Sequence, residues 1–176
     1  MTMRIQEWWR HRQAEVMQQD VAPSWYATRT RRHALVGAHG VALALLWTAA
    51  VLWLFSMEGG GRVGTVLIVA GLALAIPTIS LLNLATRGTT ALAEESLDER
   101  QLADRMRAMA TAHRGTMIML AIVGAGALVT GLIAGRELSL PVTGVLQLTI
   151  ATGLTHMMLP LLVSAWQLPD PPAEDA

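Results

Sequence analysis

The sequence contains no cysteine and no lysine, and both absences narrow what the protein can do. Without cysteine it forms no disulfide bond, no thiolate metal site and no thiol nucleophile. All 13 basic residues are arginines, and 13 acidic residues balance them, so no global positive field favours nucleic acid as a partner. Charged residues make up only 15% of the chain, against about 25% in soluble domains.

The sequence has few charged residues and contains several long apolar runs. Hydrophobic residues account for 53% of the chain, and the mean hydropathy is +0.43. A transmembrane helix needs about 20 apolar residues to cross about 30 Å of hydrocarbon. Four stretches meet that requirement, and none contains a charged residue: 34–55, 63–85, 116–135 and 141–166. They are apolar on every side, which predicts an all-α membrane protein with four transmembrane helices.

The connections between the spans predict the order of packing. Short segments join spans one and two and spans three and four, so we expect two helical hairpins. The predicted organisation is an amphipathic, basic N-terminal segment, a membrane domain with a helical loop between the hairpins, and an acidic, proline-rich tail. These are residues 1–32, 33–167 with the loop at 86–115, and 168–176.

Arginine placement predicts the orientation. Eleven arginines fall in residues 1–32 and 86–115, whereas the two short connections hold one each, Arg62 and Arg136. Arginine-rich segments remain cytoplasmic, so both termini and the central loop are expected on the inside of the cell membrane. The N-terminal segment places Trp8 and Trp9 on an apolar face beside arginines, which is typical of a helix lying at the lipid headgroups. Docking of this segment on the central loop is the alternative.

The central loop contains EESLDERQ at residues 94–101. Ser96 followed by Glu99 has the spacing of a capping box and predicts a helix start. No glycine or proline interrupts the chain from there to Arg114, so the helix is expected to continue into span three. Leu102, Met106, Met109 and His113 recur at helical spacing and form an apolar stripe. The charged residues are then either a solvated face or part of a docking surface.

The tetrad Asp98, Glu99, Arg100 and Gln101, set before span three of a four-span chain, resembles a group of small bacterial membrane proteins, many of them actinobacterial. These proteins have D-E-R-Q or D-E-R-E in the cytoplasmic loop and no characterised function. The resemblance implies a multi-pass membrane protein and assigns no catalytic role to any residue.

Polar residues inside membrane spans are candidates for function. A cavity open to the cytoplasm is expected from His39, Asn83, Thr149, Thr152 and His156. Each histidine could instead be a packing residue that donates to a neighbouring helix. Two histidines without a carboxylate fall short of the three or four ligands of a metal site, so no metal or cofactor is expected.

Span three carries small residues at a spacing that lets helices approach closely. The predicted contact face comprises Gly124, Ala127, Gly131 and Gly135. Contact within the four-helix bundle and a seam between two copies of the chain are both open.

No arrangement of side chains in the sequence predicts catalysis. The expected function is that of a non-enzymatic accessory or regulatory subunit, which meets a partner protein through the helix that begins at the tetrad. The candidate docking residues are Asp98, Glu99, Arg100, Gln101, Met106 and Met109. The alternative is a carrier or small-molecule-binding bundle that uses the polar cavity. Beyond the lipid bilayer, a partner protein or a second copy is possible, and no nucleic acid is expected.

The orientation is testable because the chain has no native cysteine. Single cysteines at Thr89 and Ala173 are expected to react with an impermeant maleimide only after cells are permeabilised. A cysteine at Gly60 should react in intact cells. Reaction at Thr89 from outside would reverse the predicted topology.

Overall fold

The protein, seen in a computed structural model, is described at residues 8, 23–55, 60–90, 92, 94, 97–134 and 141–169. Within these residues all regular structure is helical. A single 3₁₀ turn, Pro23–Trp25, precedes four α-helices: α1 (Arg29–Phe55), α2 (Gly60–Ala85), α3 (Glu99–Ala134) and α4 (Val142–Gln167). Each helix is long and apolar enough to cross a membrane, so the all-α class and the four candidate spans are confirmed.

Helix α1 packs on both α2 and α4. Its contact faces are lined by small residues, among them Ala42, Ala49 and Ala50, which are fully buried. Gly144 brings the start of α4 directly against the α1 backbone. A Cβ placed there would lie 2.6 Å from the Cα of Leu54. Glycine is therefore required for this approach of two helices.

The contact between α1 and α2 also depends on glycine. The indole of Trp53 covers Gly64, where a Cβ would lie 2.5 Å from the indole nitrogen. Further along, a Cβ at Gly71 would lie 3.1 Å from the carbonyl oxygen of Ala42. Trp53, near the end of α1, thus lies against the start of α2.

Polar contacts join the start of α1 to the end of α4. Arg32, buried at 3% exposure, donates to the carbonyl oxygen of Ala27 at 3.0 Å and to that of Leu168 at 2.8 Å. The ring of His33 stacks on Trp166 with centroids 3.7 Å apart, and His33 Nε2 lies 3.1 Å from the Trp166 carbonyl oxygen. The positive charge of the Arg32 guanidinium also interacts favourably with the negative end of the α4 helix dipole.

Helix α2 ends in a Schellman motif. The amide of Gly88 donates to the carbonyl of Asn83 at 2.8 Å, and the amide of Arg87 donates to that of Leu84 at 3.0 Å. This turn places Arg87 at a φ of 50°. The left-handed conformation costs a non-glycine residue roughly 1–2 kcal/mol, which is why glycine is usual at this position.

Helix α3 starts two residues later than the sequence pattern suggested. Glu99 is its first residue. The amide of Gln101 donates to Asp98 Oδ1 at 2.7 Å, and Gln101 Oε1 accepts from the amide of Asp98 at 3.1 Å. This reciprocal pair is a capping box formed by Asp98 and Gln101, so the predicted register, with Ser96 capping and Glu99 at the third position, is wrong. Ser96 itself lies outside the described residues.

Helix α3 then runs for 36 residues without a break at Gly115, as expected. At 1.5 Å per residue it is about 54 Å long, which exceeds the hydrocarbon thickness by more than 20 Å. The part up to Arg114 carries the charges, and we call residues 99–114 the α3 extension. Its buried face consists of Ala108 and Ala112, with Thr116 continuing it one turn further.

Several predicted features lie outside the described residues. These are the N-terminal interfacial helix, the connections at 56–59 and 135–140, and the acidic tail. Thr89 is described and is buried at 7% exposure, with its hydroxyl donating to the Thr86 carbonyl oxygen. A cysteine at exposed Ala103 therefore replaces one at Thr89 as the reporter of orientation.

The position of the cap is open to direct test. Asp98→Ala removes the acceptor for the Gln101 amide and should cost about 1 kcal/mol of local helix stability. Hydrogen exchange measured on the full-length protein in detergent should quicken over residues 99–102. Ser96→Ala is the matched control and should leave exchange in this turn unchanged. The opposite pattern would restore the cap predicted from sequence.

Candidate functional site

A groove lies between α3 and α4, and we call it the α3–α4 groove. Its volume is about 570 Å³. Three of the five predicted cavity residues line it: Thr149, Thr152 and His156. The remaining lining is mostly apolar and includes Met117 and Leu120 of α3. The groove is partly open to its surroundings.

A polar contact between the two helices crosses the groove. His156 Nδ1 lies 3.0 Å from the hydroxyl oxygen of Thr116. The hydroxyls of Thr149 and Thr152 donate to carbonyls one turn earlier in α4, at 2.9 and 2.8 Å. These threonines therefore retain lone pairs that can accept a hydrogen bond from a ligand.

His39 does not contribute to this groove. It is buried at 1% exposure between α1 and α2, where its Nδ1 lies 2.9 Å from Thr78 Oγ1. The Thr78 hydroxyl lies within hydrogen-bond distance of two carbonyl oxygens of its own helix, at 2.8 and 2.9 Å, so its proton is used there. His39 Nδ1 is then the donor, and its Nε2 meets no partner among the described residues. His39 is thus a packing residue that joins two helices, the alternative weighed for it above.

Asn83 is also separate from the groove. It is half-buried near the end of α2, and its backbone carbonyl accepts from Gly88 in the Schellman motif. The predicted cavity that combined His39, Asn83 and His156 is therefore not formed by the described residues.

A third contact between helices joins α1 to α4, where Trp47 Nε1 donates to Thr155 Oγ1 at 3.0 Å.

The α3 extension exposes the predicted apolar stripe. Leu102 is 36% exposed, Met106 60% and Met109 37%. The face that packs toward α4 is offset from this stripe and consists of Ala108 and Ala112. Of the three, Met106 is the residue with most of its surface left uncovered by the described chain.

The tetrad at the start of α3 divides into two pairs. Asp98 and Gln101 are occupied by the capping box described above. Glu99 and Arg100 are exposed on the first turn and remain available to a partner. The spacing of Asp98 and Gln101 in the tetrad is therefore explained by helix capping, and it does not by itself indicate a binding site.

The predicted contact face on α3 makes no contact within the bundle. Gly124 and Ala127 are exposed, and a Cβ at Gly124 or Gly131 would meet no heavy atom within 4 Å. Gly135 lies outside the described residues. The close helix approach that glycine permits occurs instead at Gly144 and Gly64. Contact of the α3 face within the bundle is therefore wrong for the described residues, and a seam between copies stays a prediction.

Among the described residues no group of three or more His, Asp or Glu side chains is placed to hold a metal ion. Sequence reasoning missed His113 and Thr116 as groove residues. It also missed that Gly144, rather than a glycine of span three, is the point of closest helix contact. One signal in the sequence could have found Thr116: a histidine inside a span, such as His156, needs a neighbouring hydroxyl or carbonyl as its partner.

Comparison of the whole chain with protein-family models, with curated protein sequences and with solved structures found no match in any of the three.

Proposed function

We propose that this chain is a non-enzymatic multi-pass protein of the cell membrane, an accessory or regulatory subunit that binds a partner protein through the α3 extension. The observation that carries the proposal is the exposed stripe of Leu102, Met106 and Met109 on a 36-residue helix, which is longer than a bilayer requires.

The proposed frame is two antiparallel hairpins that cross the membrane. The contacts of Trp53 with Gly61 and Gly64 support the first hairpin. The pairing of Thr116 with His156 and of Gly115 with Leu159 supports the second. In this frame the start of α1, the end of α2, the start of α3 and the end of α4 lie on one side.

The proposed orientation puts that side in the cytoplasm. Among the described residues, it collects every arginine except Arg62, which lies at the other end near the start of α2. Such an asymmetry is typical of the cytoplasmic side. The proposed interfacial helix at the N-terminus would lie at the same membrane surface. The tetrad's resemblance to bacterial four-span proteins fits this layout, and membership of that group remains part of the proposal.

Exposed apolar residues have a different meaning in the two halves of α3. Between residues 116 and 134 lipid covers them. On the α3 extension they face water or headgroups, where an apolar stripe on a charged helix is typical of a protein contact. The most exposed member of the stripe is a methionine, whose flexible side chain adapts to varied apolar surfaces. The partner expected is a protein that presents an apolar helix face or groove, bordered by charges complementary to Glu99 and Arg100.

Site-specific photocrosslinking tests this proposal in living cells. A benzophenone amino acid at Met106 should crosslink to one partner protein, whereas the same residue at Ala103 should not. Leu102→Gln combined with Met106→Gln should lower co-purification of that partner at least tenfold, because apolar contact area is lost. Ala103→Gln combined with Ala110→Gln is the matched control on exposed positions of the same extension.

Two results would contradict this function. One is a crosslink from Met106 only to residues 1–22 of the same chain, which would make the stripe an internal docking site. The other is equal co-purification of the partner by the two double variants.

The α3–α4 groove supports a second candidate, a small-molecule-binding bundle. Its volume of about 570 Å³ falls within the range usual for ligand sites. Its apolar walls and clustered threonines suit an apolar molecule that has one hydrogen-bonding group. Such a ligand would enter from the bilayer.

Blocking the groove separates this candidate from the first. Protein purified in mild detergent should release a defined apolar compound on solvent extraction, detected by mass spectrometry. Thr152→Trp should abolish the compound by filling the groove, and Thr143→Trp, exposed on the same helix and outside the groove, should retain it. Equal amounts of the compound from both variants would exclude the groove as its site.

A further inference from the structure

Two neighbouring cavities lie where α2 and α4 end and α3 begins. Their volumes are about 270 and about 260 Å³. They share five lining residues: Thr89, Arg100, Asp104, Leu168 and Pro169. Arg107 lines one cavity, and Arg87 lines the other. We call this combined feature the basic cleft. It is separate from both the α3–α4 groove and the stripe.

The charges that line the basic cleft do not all neutralise one another. Asp104 forms an ion pair with Arg107 on the same helix. The carboxylate of Asp98 accepts the amide of Gln101 in the capping box. Arg87 and Arg100 make no ion pair with any described residue, and both side chains are exposed. Arg87 and Arg100 thus line the same cleft as Asp98 and Asp104, and neither arginine forms an ion pair in the part of the chain described.

The backbone of Arg87 adds an independent observation. Its φ of 50° is unfavourable for a residue with a side chain, and glycine would make the same Schellman turn without strain. Strained residues of this kind are found at functional sites, where the side chain is needed. What arginine supplies and glycine lacks is a guanidinium, which this turn sets at the cleft beside Arg100.

We propose that the basic cleft binds a phosphate group through Arg87 and Arg100. Each planar guanidinium can donate two parallel hydrogen bonds to phosphate oxygens, and charge-assisted bonds of this type are the strong ones. In the proposed orientation the cleft lies at the cytoplasmic surface of the membrane, where anionic lipid headgroups are concentrated. The phosphate can belong to such a headgroup or to a soluble molecule, since both present the same oxygens.

Titration of the full-length protein in a neutral detergent tests the proposal. Binding is measured by native mass spectrometry and by the shift of the thermal midpoint, with phosphatidylglycerol, phosphatidylcholine and inorganic phosphate as probes. Wild type should prefer phosphatidylglycerol to phosphatidylcholine. Arg87→Gly combined with Arg100→Gln should weaken that binding about tenfold or more, since charge-assisted bonds are lost. Arg87→Gly removes the guanidinium and also relieves the strained φ, so this variant should fold.

The matched control is Arg62→Gln combined with Arg114→Gln, which removes the same charge outside the cleft and should keep wild-type affinity. Binding of phosphatidylglycerol alone assigns the cleft to a lipid headgroup. Binding of inorganic phosphate, with or without the lipid, assigns it to a phosphate group that a soluble molecule can supply. Equal affinity for the two lipids without phosphate binding overturns the proposal, and so does an equal loss of affinity in both double variants.

Discussion

The packing of the bundle depends on the buried guanidinium of Arg32. This cation lies where α1 begins and α4 ends, and it donates to backbone carbonyls from both sides of that junction. A hydrogen bond to a charged group contributes about 1.5–3 kcal/mol, so these bonds stabilise the junction between the two helix ends. At the opposite end of the same two helices, Gly144 lies against the α1 backbone. Contacts at both ends thus hold α1 against α4, while α2 packs mainly on α1 and α3 packs on α4.

The contacts between helices use different chemistry at different depths. Glycine and alanine provide close approach along α1, and single hydrogen bonds from His39, Trp47 and His156 join neighbouring helices within the apolar region. Each such bond is worth about 0.6 kcal/mol on average in a membrane protein, so the bonds select the register more than they stabilise the bundle. Polar residues inside spans need not mark one shared cavity, because each can meet its own partner.

Features that depend on residues close together in the sequence could be predicted, whereas features that depend on packing between helices could not. The four spans and the unbroken run of α3 are local properties of apolar length and helix continuity, and they were predictable. The predicted cap lies two residues too early, because the pairs Ser96–Glu99 and Asp98–Gln101 both have the spacing of a capping box. The choice between them depends on where the preceding chain turns, which packing decides. The predicted contact of the glycine face of α3 within the bundle was wrong for a related reason. Periodicity identifies a face of small residues, but it does not identify what lies against that face. His113 and Thr116 escaped notice because a groove is defined by two helices and its lining cannot be read from one of them.

The continuity of α3 has a mechanical consequence. Its polar contact with α4 is made at Thr116, which has 17 residues of the helix before it and 18 after it. At 1.5 Å per residue, the two arms are about 26 and 27 Å long. A stiff rod that rests against its neighbour near the midpoint moves its two ends by nearly equal amounts in opposite directions when it tilts. A tilt about this contact that moves the tetrad by an ångström would therefore move the other end of α3, at Ala134, by about the same distance in the opposite direction.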